Sequence, residues 1–195
     1  MSPNANNPVK IVNYQPSWQD EFKQIGQNLR QGLGPLALRI DHIGSTSVPG
    51  LAAKDVIDVQ ITVGALSETL ILKMNQLGYA LPEGIWRDHA PPGQTGPDSD
   101  WAKLLFRPPV RQRRTNTHVR VAGRPNQRYP LVFRDFLRAH PLMAEAYAEL
   151  KRRLAANLTD GKLYPDVKDP AVDLIYFSAE TWATHSHWQP GPSDL

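Results

Sequence analysis

From Asp41 to Gln60 the chain reads as a strand, a turn of glycine and hydroxyl residues, and a second strand. No other stretch limits the fold as tightly. In Val56 to Val63, the apolar side chains of Ile57, Val59, Ile61 and Val63 alternate with Val56, Asp58, Gln60 and Thr62. A period of two sets one face of a strand against a core and leaves the polar groups on the other. Ala37 to Ile43 supplies the preceding strand, and Gly44-Ser45-Thr46-Ser47 closes it. Such a turn can offer N–H groups and hydroxyls to phosphate oxygens, although glycine and serine also form tight turns with no ligand at all. Asp58, on the polar face of the next strand, is placed to hold a divalent metal against the same phosphates, and Lys54 could add a point charge.

The flanking segments supply layers for that strand pair. Ser17 is a candidate helix cap, and Trp18, Phe22, Ile25 and Leu29 follow at helical spacing until Gly32 and Gly34-Pro35. Ser67 opens a second helix with Leu70, Ile71, Met74 and Leu77 on one face and Gly78 after its end. Asp88 to Asp100, rich in proline and glycine, is expected to be a long loop. Trp101 to Phe106 and Thr115 to Val121 read as strands, the latter turning Asn116, His118 and Arg120 to one side. Helices are expected over Tyr129–Arg138, Met143–Leu158 and about Ala171–Thr184. The order predicts a single domain of α+β (mixed α/β) class with a helical C-terminal part. Its ordered core is expected to run over residues 9–188, with a flexible leader at 1–8 and a frayed tail at 189–195.

Composition narrows the function classes. There is no cysteine, which removes disulfides, thiol nucleophiles and zinc–thiolate sites. Neither a signal peptide nor an apolar membrane span is legible, so a cytoplasmic location is the default expectation. The charge is uneven. Eight cations (Lys103, Arg107, Arg111, Arg113, Arg114, Arg120, Arg124 and Arg128) lie between Trp101 and Arg128 with no acid among them. Arginine forks suit phosphate or nucleic acid, and a solvated loop gives the same pattern. The segment lacks the interleaved aromatics that stack on bases, which disfavours RNA binding.

The run His42-Ile43-Gly44-Ser45-Thr46-Ser47-Val48-Pro49-Gly50-Leu51-Ala52-Ala53-Lys54, followed by Ile57-Asp58, resembles the signature of the GrpB (UPF0157-type) family. Further likenesses are Asn13-Tyr14-Gln15-Pro16-Ser17-Trp18, Thr117-His118-Val119-Arg120-Val121, Phe133 to Pro141 and Tyr164-Pro165-Asp166-Val167-Lys168. The resemblance extends from about Val9 to Trp188. It implies a nucleotidyltransferase-like fold, with a mixed sheet, helices on one side and further helices after it. Some family members are joined to dephospho-coenzyme A kinases, but no G-x-x-x-x-G-K-[ST] loop is present, so a P-loop kinase is not expected here.

Enzymes of that fold hold two Mg²⁺ ions on two acids spaced one apart on a strand and a third acid on a neighbour. Here the first position is Asp58, the second is Gln60, and the third falls at His118. Asp58, Gln60 and His118 are therefore the candidate metal ligands, for Mg²⁺ or Mn²⁺ or for one softer ion. His118 has the alternative of an ordinary hydrogen-bonded histidine. His42, next to Asp41 and two residues before Gly44, is the candidate general base beside Asp58. Gly44, Ser45, Thr46, Ser47, Lys54, Arg120 and Lys168 are the candidate nucleotide- or phosphate-binding residues, with Tyr164, Asp166 and Lys168 expected in a loop. Three readings follow: nucleotidyl transfer from a degenerate metal site, a non-catalytic nucleotide-binding module, or RNA binding through residues 101–128. No role is expected of His185 and His187, and no oligomeric state is legible.

Overall fold

The computed structural model describes residues 8–82 and 87–195, so most of the expected leader lies outside the described residues. Four strands, β1 (Arg39–Ile43), β2 (Ile57–Val63), β3 (Leu104–Phe106) and β4 (Thr115–Val121), form one mixed sheet in the order β1-β2-β4-β3. β2 and β4 run parallel, and β1 and β3 flank them antiparallel. The α-helices among the described residues are α1 (Ser17–Leu33), α2 (Glu68–Gln76), α3 (Pro125–Ala139), α4 (Pro141–Asn157) and α5 (Tyr164–His185). The α+β class expected from the element order is the class found.

The alternation in β2 does what its period requires. Ile57, Val59 and Ile61 are buried against Trp18, Phe22 and Leu29 of α1 and Leu70 and Met74 of α2. Ser67 caps α2, its Oγ accepting from the Leu70 N–H at 3.2 Å. Ser17 is no cap. It lies inside the first turn of α1, where its hydroxyl donates to Glu21 at 3.0 Å.

A second core joins α3, α4 and α5 to Val48, Leu51 and Ala52 of the segment linking β1 and β2. The Gly-Ser turn therefore sits at the seam between the two cores, pinned on both sides. As the family resemblance implied, helices lie on one side of the sheet and further helices follow it. α1 and α2 cover the apolar face, while α3 closes part of the opposite one: Gln60 Nε2 donates to the Gln127 carbonyl at 2.9 Å, and Arg134 Nη1 to the His42 carbonyl at 3.0 Å.

Two boundaries moved for identifiable reasons. α5 begins at Tyr164, with Pro165 in its first turn, where a missing N–H costs nothing, and Pro170 is carried inside the helix. Tyr164, Asp166 and Lys168 are thus helical, where a loop was expected. The expected frayed tail is docked along β1. The Ile40 N–H donates to Ser193 Oγ at 2.9 Å, the His42 N–H to Asp194 Oδ2 at 2.9 Å, and the Leu195 N–H to the Ile40 carbonyl at 3.2 Å. Among the described residues, no helix is long and apolar enough to cross a membrane.

Candidate functional site

Gly44 ends β1 with φ 70° and ψ −173°, a conformation open almost only to glycine. It has to, because a Cβ at this position would collide with Asp58 Oδ2. The close approach brings the turn and the acid together, as the spacing predicted. The turn's hydroxyls are not equivalent, however. Ser47 Oγ donates to the Gly44 carbonyl at 2.6 Å, and Thr46 Oγ1 is buried 3.0 Å from His42 Nε2. Ser45 alone of the three is half-buried and open to a ligand.

Register fixes the polar face. Ile43 pairs with Asp58 and Asp41 with Gln60 on β1–β2; Asp58 pairs with Asn116, Gln60 with His118 and Thr62 with Arg120 on β2–β4. Asp58, Gln60 and His118 therefore do share a face, as expected. Asp58 Oδ1 accepts from Asn116 Nδ2 at 2.8 Å and lies 3.9 Å from His118 Nε2. Gln60, by contrast, is fully buried and saturated: its Oε1 accepts from Arg120 Nη1 at 2.8 Å while its amide holds α3. His118 Nδ1 stands 3.3 Å from Arg120 Nη2. Since arginine can only donate, Nδ1 accepts there and the ring proton sits on Nε2, turned toward Asp58. Burial and then Arg120 lower the His118 pKa to about 4.

This donor set does not fit a metal pair. Asp58 supplies carboxylate oxygens, but the Gln60 oxygen is spent on Arg120 and the nearer His118 nitrogen carries a proton. The Asn116 carbonyl accepts from Arg107. Among the described residues, no group of three His, Cys, Asp or Glu side chains converges on one point. Mg²⁺ and Mn²⁺ need hard oxygen ligands, so the expected ligand set of Asp58, Gln60 and His118 is corrected to one free carboxylate.

His42 is also corrected. Adjacent strand residues face opposite ways, and it is Asp41 that shares the face of Gln60, held by Arg39 at 2.8 Å. The His42 ring lies in the α1 core, stacked on Phe22 at 4.6 Å, and burial lowers its pKa to about 3. It cannot act as a base toward a ligand on Asp58.

Both histidines are held neutral while the unfolded chain binds protons near pH 6.5, so lowering the pH favours the unfolded state. The two histidines are expected to cost no stability above pH 6.5 and progressively more as the pH falls toward 4 and below. The imidazole C–H resonances of His42 and His118 should stay fixed between pH 7 and 5; titration of either near 6.5 would contradict this packing.

The arginine segment is largely engaged within the protein. Arg113 holds Glu21 and Asp55, Arg128 holds Glu180, Arg124 donates to the Ser99 carbonyl, and Arg107 to Asn116. Arg120 and Lys103 clamp Asp88, which removes Arg120 from the candidate phosphate ligands. The nucleic-acid reading loses most of its cations in the same way.

Lysines from three elements take their place around the turn. Lys151 of α4 was not foreseen. It is 3% exposed, and its Nζ donates to Ser45 Oγ at 2.8 Å and to the Ala52 carbonyl. Its ammonium lies 4.6 Å from the Tyr147 ring centroid. Lys54 Nζ sits 4.0 Å over the Tyr164 ring. Burial, then Lys168 and Arg152, lower the Lys151 pKa to about 7, and burial, then Lys168 and Arg114, lower that of Lys54; Asp58 opposes both shifts. Lys168 is only loosely paired, 3.6 Å from Asp169. Like charges gathered in this way raise the positive potential beside the Gly-Ser turn.

Residues 8–177 match the family described as "GrpB protein". A UPF0157 protein of Halalkalibacterium halodurans is 34% identical over 87% of this chain and 82% of its own length. A dephospho-CoA kinase of Mycolicibacterium paratuberculosis is 37% identical over 95% of this chain, which spans only 49% of that relative. The crystal structure of the conserved protein GrpB from Enterococcus faecalis superposes with a TM-score of 0.72 at 29% identity, covering 89% of this chain and 99% of that one.

Proposed function

The chain belongs to the GrpB family, and from that premise we propose that it binds a phosphate-bearing ligand, a nucleotide in the first instance, at the Gly44–Ser47 turn. One observation carries the reading: Lys151, buried in α4, is held on Ser45 Oγ beside the turn, and Lys168 repels both it and Lys54. A buried ammonium with a depressed pKa is costly in the free protein. A phosphate group paired with Lys54 and Lys168 would offset that repulsion, and Ser45 would add a hydroxyl. Asp58, close against Gly44 of the turn, would repel an unescorted phosphate and so limit how near the anion comes.

The reading favours binding over metal-dependent nucleotidyl transfer, because Gln60 stands where a second acid is needed. The dephospho-CoA kinase relatives are about twice this length, and their kinase activity is not carried over to this chain. Nucleotide and cofactor identity are set by the experiment below.

Thermal unfolding of the whole chain against pyrophosphate, ATP, GTP and CTP, with and without Mg²⁺ or Mn²⁺, tests this. A ligand at a hundred times its Kd stabilises the native state by about 2.7 kcal/mol, a rise of roughly 5–10 °C for a domain of this size. The rise is expected without metal and should vanish in Lys54→Met. No rise with any of the four sinks the reading. Gln60→Asp is expected to give no metal-dependent pyrophosphate release, since the new carboxylate faces Arg120; turnover in that variant would put the transferase reading first.

A further inference from the structure

The geometry points to Ser45 and Lys151 as a nucleophile–base pair that accepts the acyl group of an acyl phosphate or a similar mixed anhydride. The pair itself rests on side-chain positions alone; only the phosphate half of the substrate rests on the reading above.

Ser45 follows directly on the strained Gly44 at the end of β1, so its hydroxyl leaves the strand and reaches the cleft. Its partner is a lysine that is 3% exposed and lies 2.8 Å away. A serine hydroxyl is a weak nucleophile until a base takes its proton, and a desolvated lysine serves as that base where its neutral form is populated. The Ala52 carbonyl accepts one Lys151 proton, and the Tyr147 ring packs beside the amine. With the amine neutral, its lone pair faces Ser45 Oγ across the same contact. The charged groups that face Lys151 are Asp58 of β2, Lys168 of α5 and Arg152 of its own helix. Two of the three are cations that favour the neutral amine, and burial acts in the same direction.

Attack at phosphorus spreads charge over several oxygens and relies on cations such as Mg²⁺ to neutralise it. The donor set around Asp58 does not suit that ion. Attack at a carbonyl carbon needs first a base beside the nucleophile, and Lys151 is placed as one. In the first step the Ser45 Oγ–C bond forms, the hydroxyl proton passes to Lys151 Nζ, and the C–O bond to phosphate breaks. Phosphate leaves as an anion into the field of Lys54 and Lys168. In the second step Lys151, having released that proton to solvent, accepts one from water. The water oxygen bonds to the carbonyl carbon, the Ser45 ester breaks as Lys151 Nζ returns the proton to Ser45 Oγ, and the carboxylic acid departs.

The probe is acetyl phosphate, with intact mass and peptide mapping of the full chain across pH 6 to 9. The expected product is an acetyl ester on Ser45, formed at a rate that climbs through about pH 7 and cleaved by hydroxylamine. Lys151→Met, which keeps the side-chain volume, should slow it by a hundredfold or more, the size of a lost general base. Ser45→Ala should abolish it. Circular dichroism establishes that each variant is folded, and the pH profile of the unaltered protein stands even if one is not. Acetylation of Lys151 with Ser45 untouched would overturn the pair, as would an unmodified Ser45 at every pH, or an equal Ser45 rate in folded Lys151→Met. The two readings fail separately. A thermal shift with pyrophosphate but no ester refutes the nucleophile alone, whereas an ester without that shift refutes the phosphate site alone.

Discussion

Asp88→Ala is expected to lower stability by about 3–5 kcal/mol, the usual cost of leaving buried charges without their counter-charge. The Asp88 carboxylate accepts from Arg120 Nε at 2.7 Å and Nη2 at 2.9 Å, from Lys103, and from Asn126 at 3.2 Å. Arg120 and Lys103 are 6% and 11% exposed at their side chains, so neither reaches water once the acid is gone. These cations hold the acid well below the usual carboxylate range although burial pushes the other way. The loss corresponds to a fall of roughly 10 °C or more in the unfolding midpoint, readable by calorimetry. Arg120 would also loosen its hold on Gln60 and His118, so the variant should lose pyrophosphate binding even where it remains folded. A fall below about 1 kcal/mol would mean that water reaches the pair and that this network does not organise the site.

Gly44→Ala should be the more damaging change for function. The backbone there lies in a region that costs non-glycine residues about 1–3 kcal/mol, and the added methyl would meet Asp58 Oδ2. Relief is available only if Asp58 swings away from Asn116 or if the turn lifts off β2. Either movement displaces Ser45 from Lys151. The expected result is a moderate loss of stability with complete loss of the phosphate-dependent shift. Gly50→Ala is the control: Gly50 has φ 78° and nothing within 4 Å of a new Cβ. It should show the backbone cost with the shift intact. Equal binding losses in the two variants would refute a specific role for the Gly44–Asp58 contact.

The sheet was legible because β2 alternates cleanly with one wholly apolar face, and β4 alternates threonine and valine with Asn116, His118 and Arg120. The Gly-Ser turn was legible for the same reason, since glycine and hydroxyl residues interrupt that pattern. What escaped was pairing across long sequence distances. Asp88 lies 32 positions from Arg120, in a stretch whose prolines and glycines announce a loop and nothing about its acid. Lys151 was hidden by Arg152 and Arg153, which make the segment look like a solvated helix face. A signal was there: Lys151 shares the helical stripe of Ala144, Tyr147 and Ala148, all buried. A lysine on an apolar stripe has to find a partner, and that rule would have pointed to a site. His42 failed for a different reason. Its position before Gly44 was informative, but only the register with Val59 shows which way the ring faces.

The docking of residues 193–195 on β1 bears on how the protein behaves in a crowded solution. An outer strand with free N–H and C=O groups is a template on which a second chain can extend the sheet. Here Ser193, Asp194 and Leu195 occupy the positions such an intruder would take, and Arg30 Nη2 fastens the end by donating to the Leu195 carbonyl at 2.6 Å. At the far side of the sheet, β3 is short and its flanks are tied down by bridges from Ala80 to Arg107 and from Arg87 to Ala102. Both margins of the sheet are thereby guarded against self-association. Removing residues 191–195 would leave the β1 margin bare while the Gly44–Ser47 turn stayed whole, and would make the protein prone to assemble on itself.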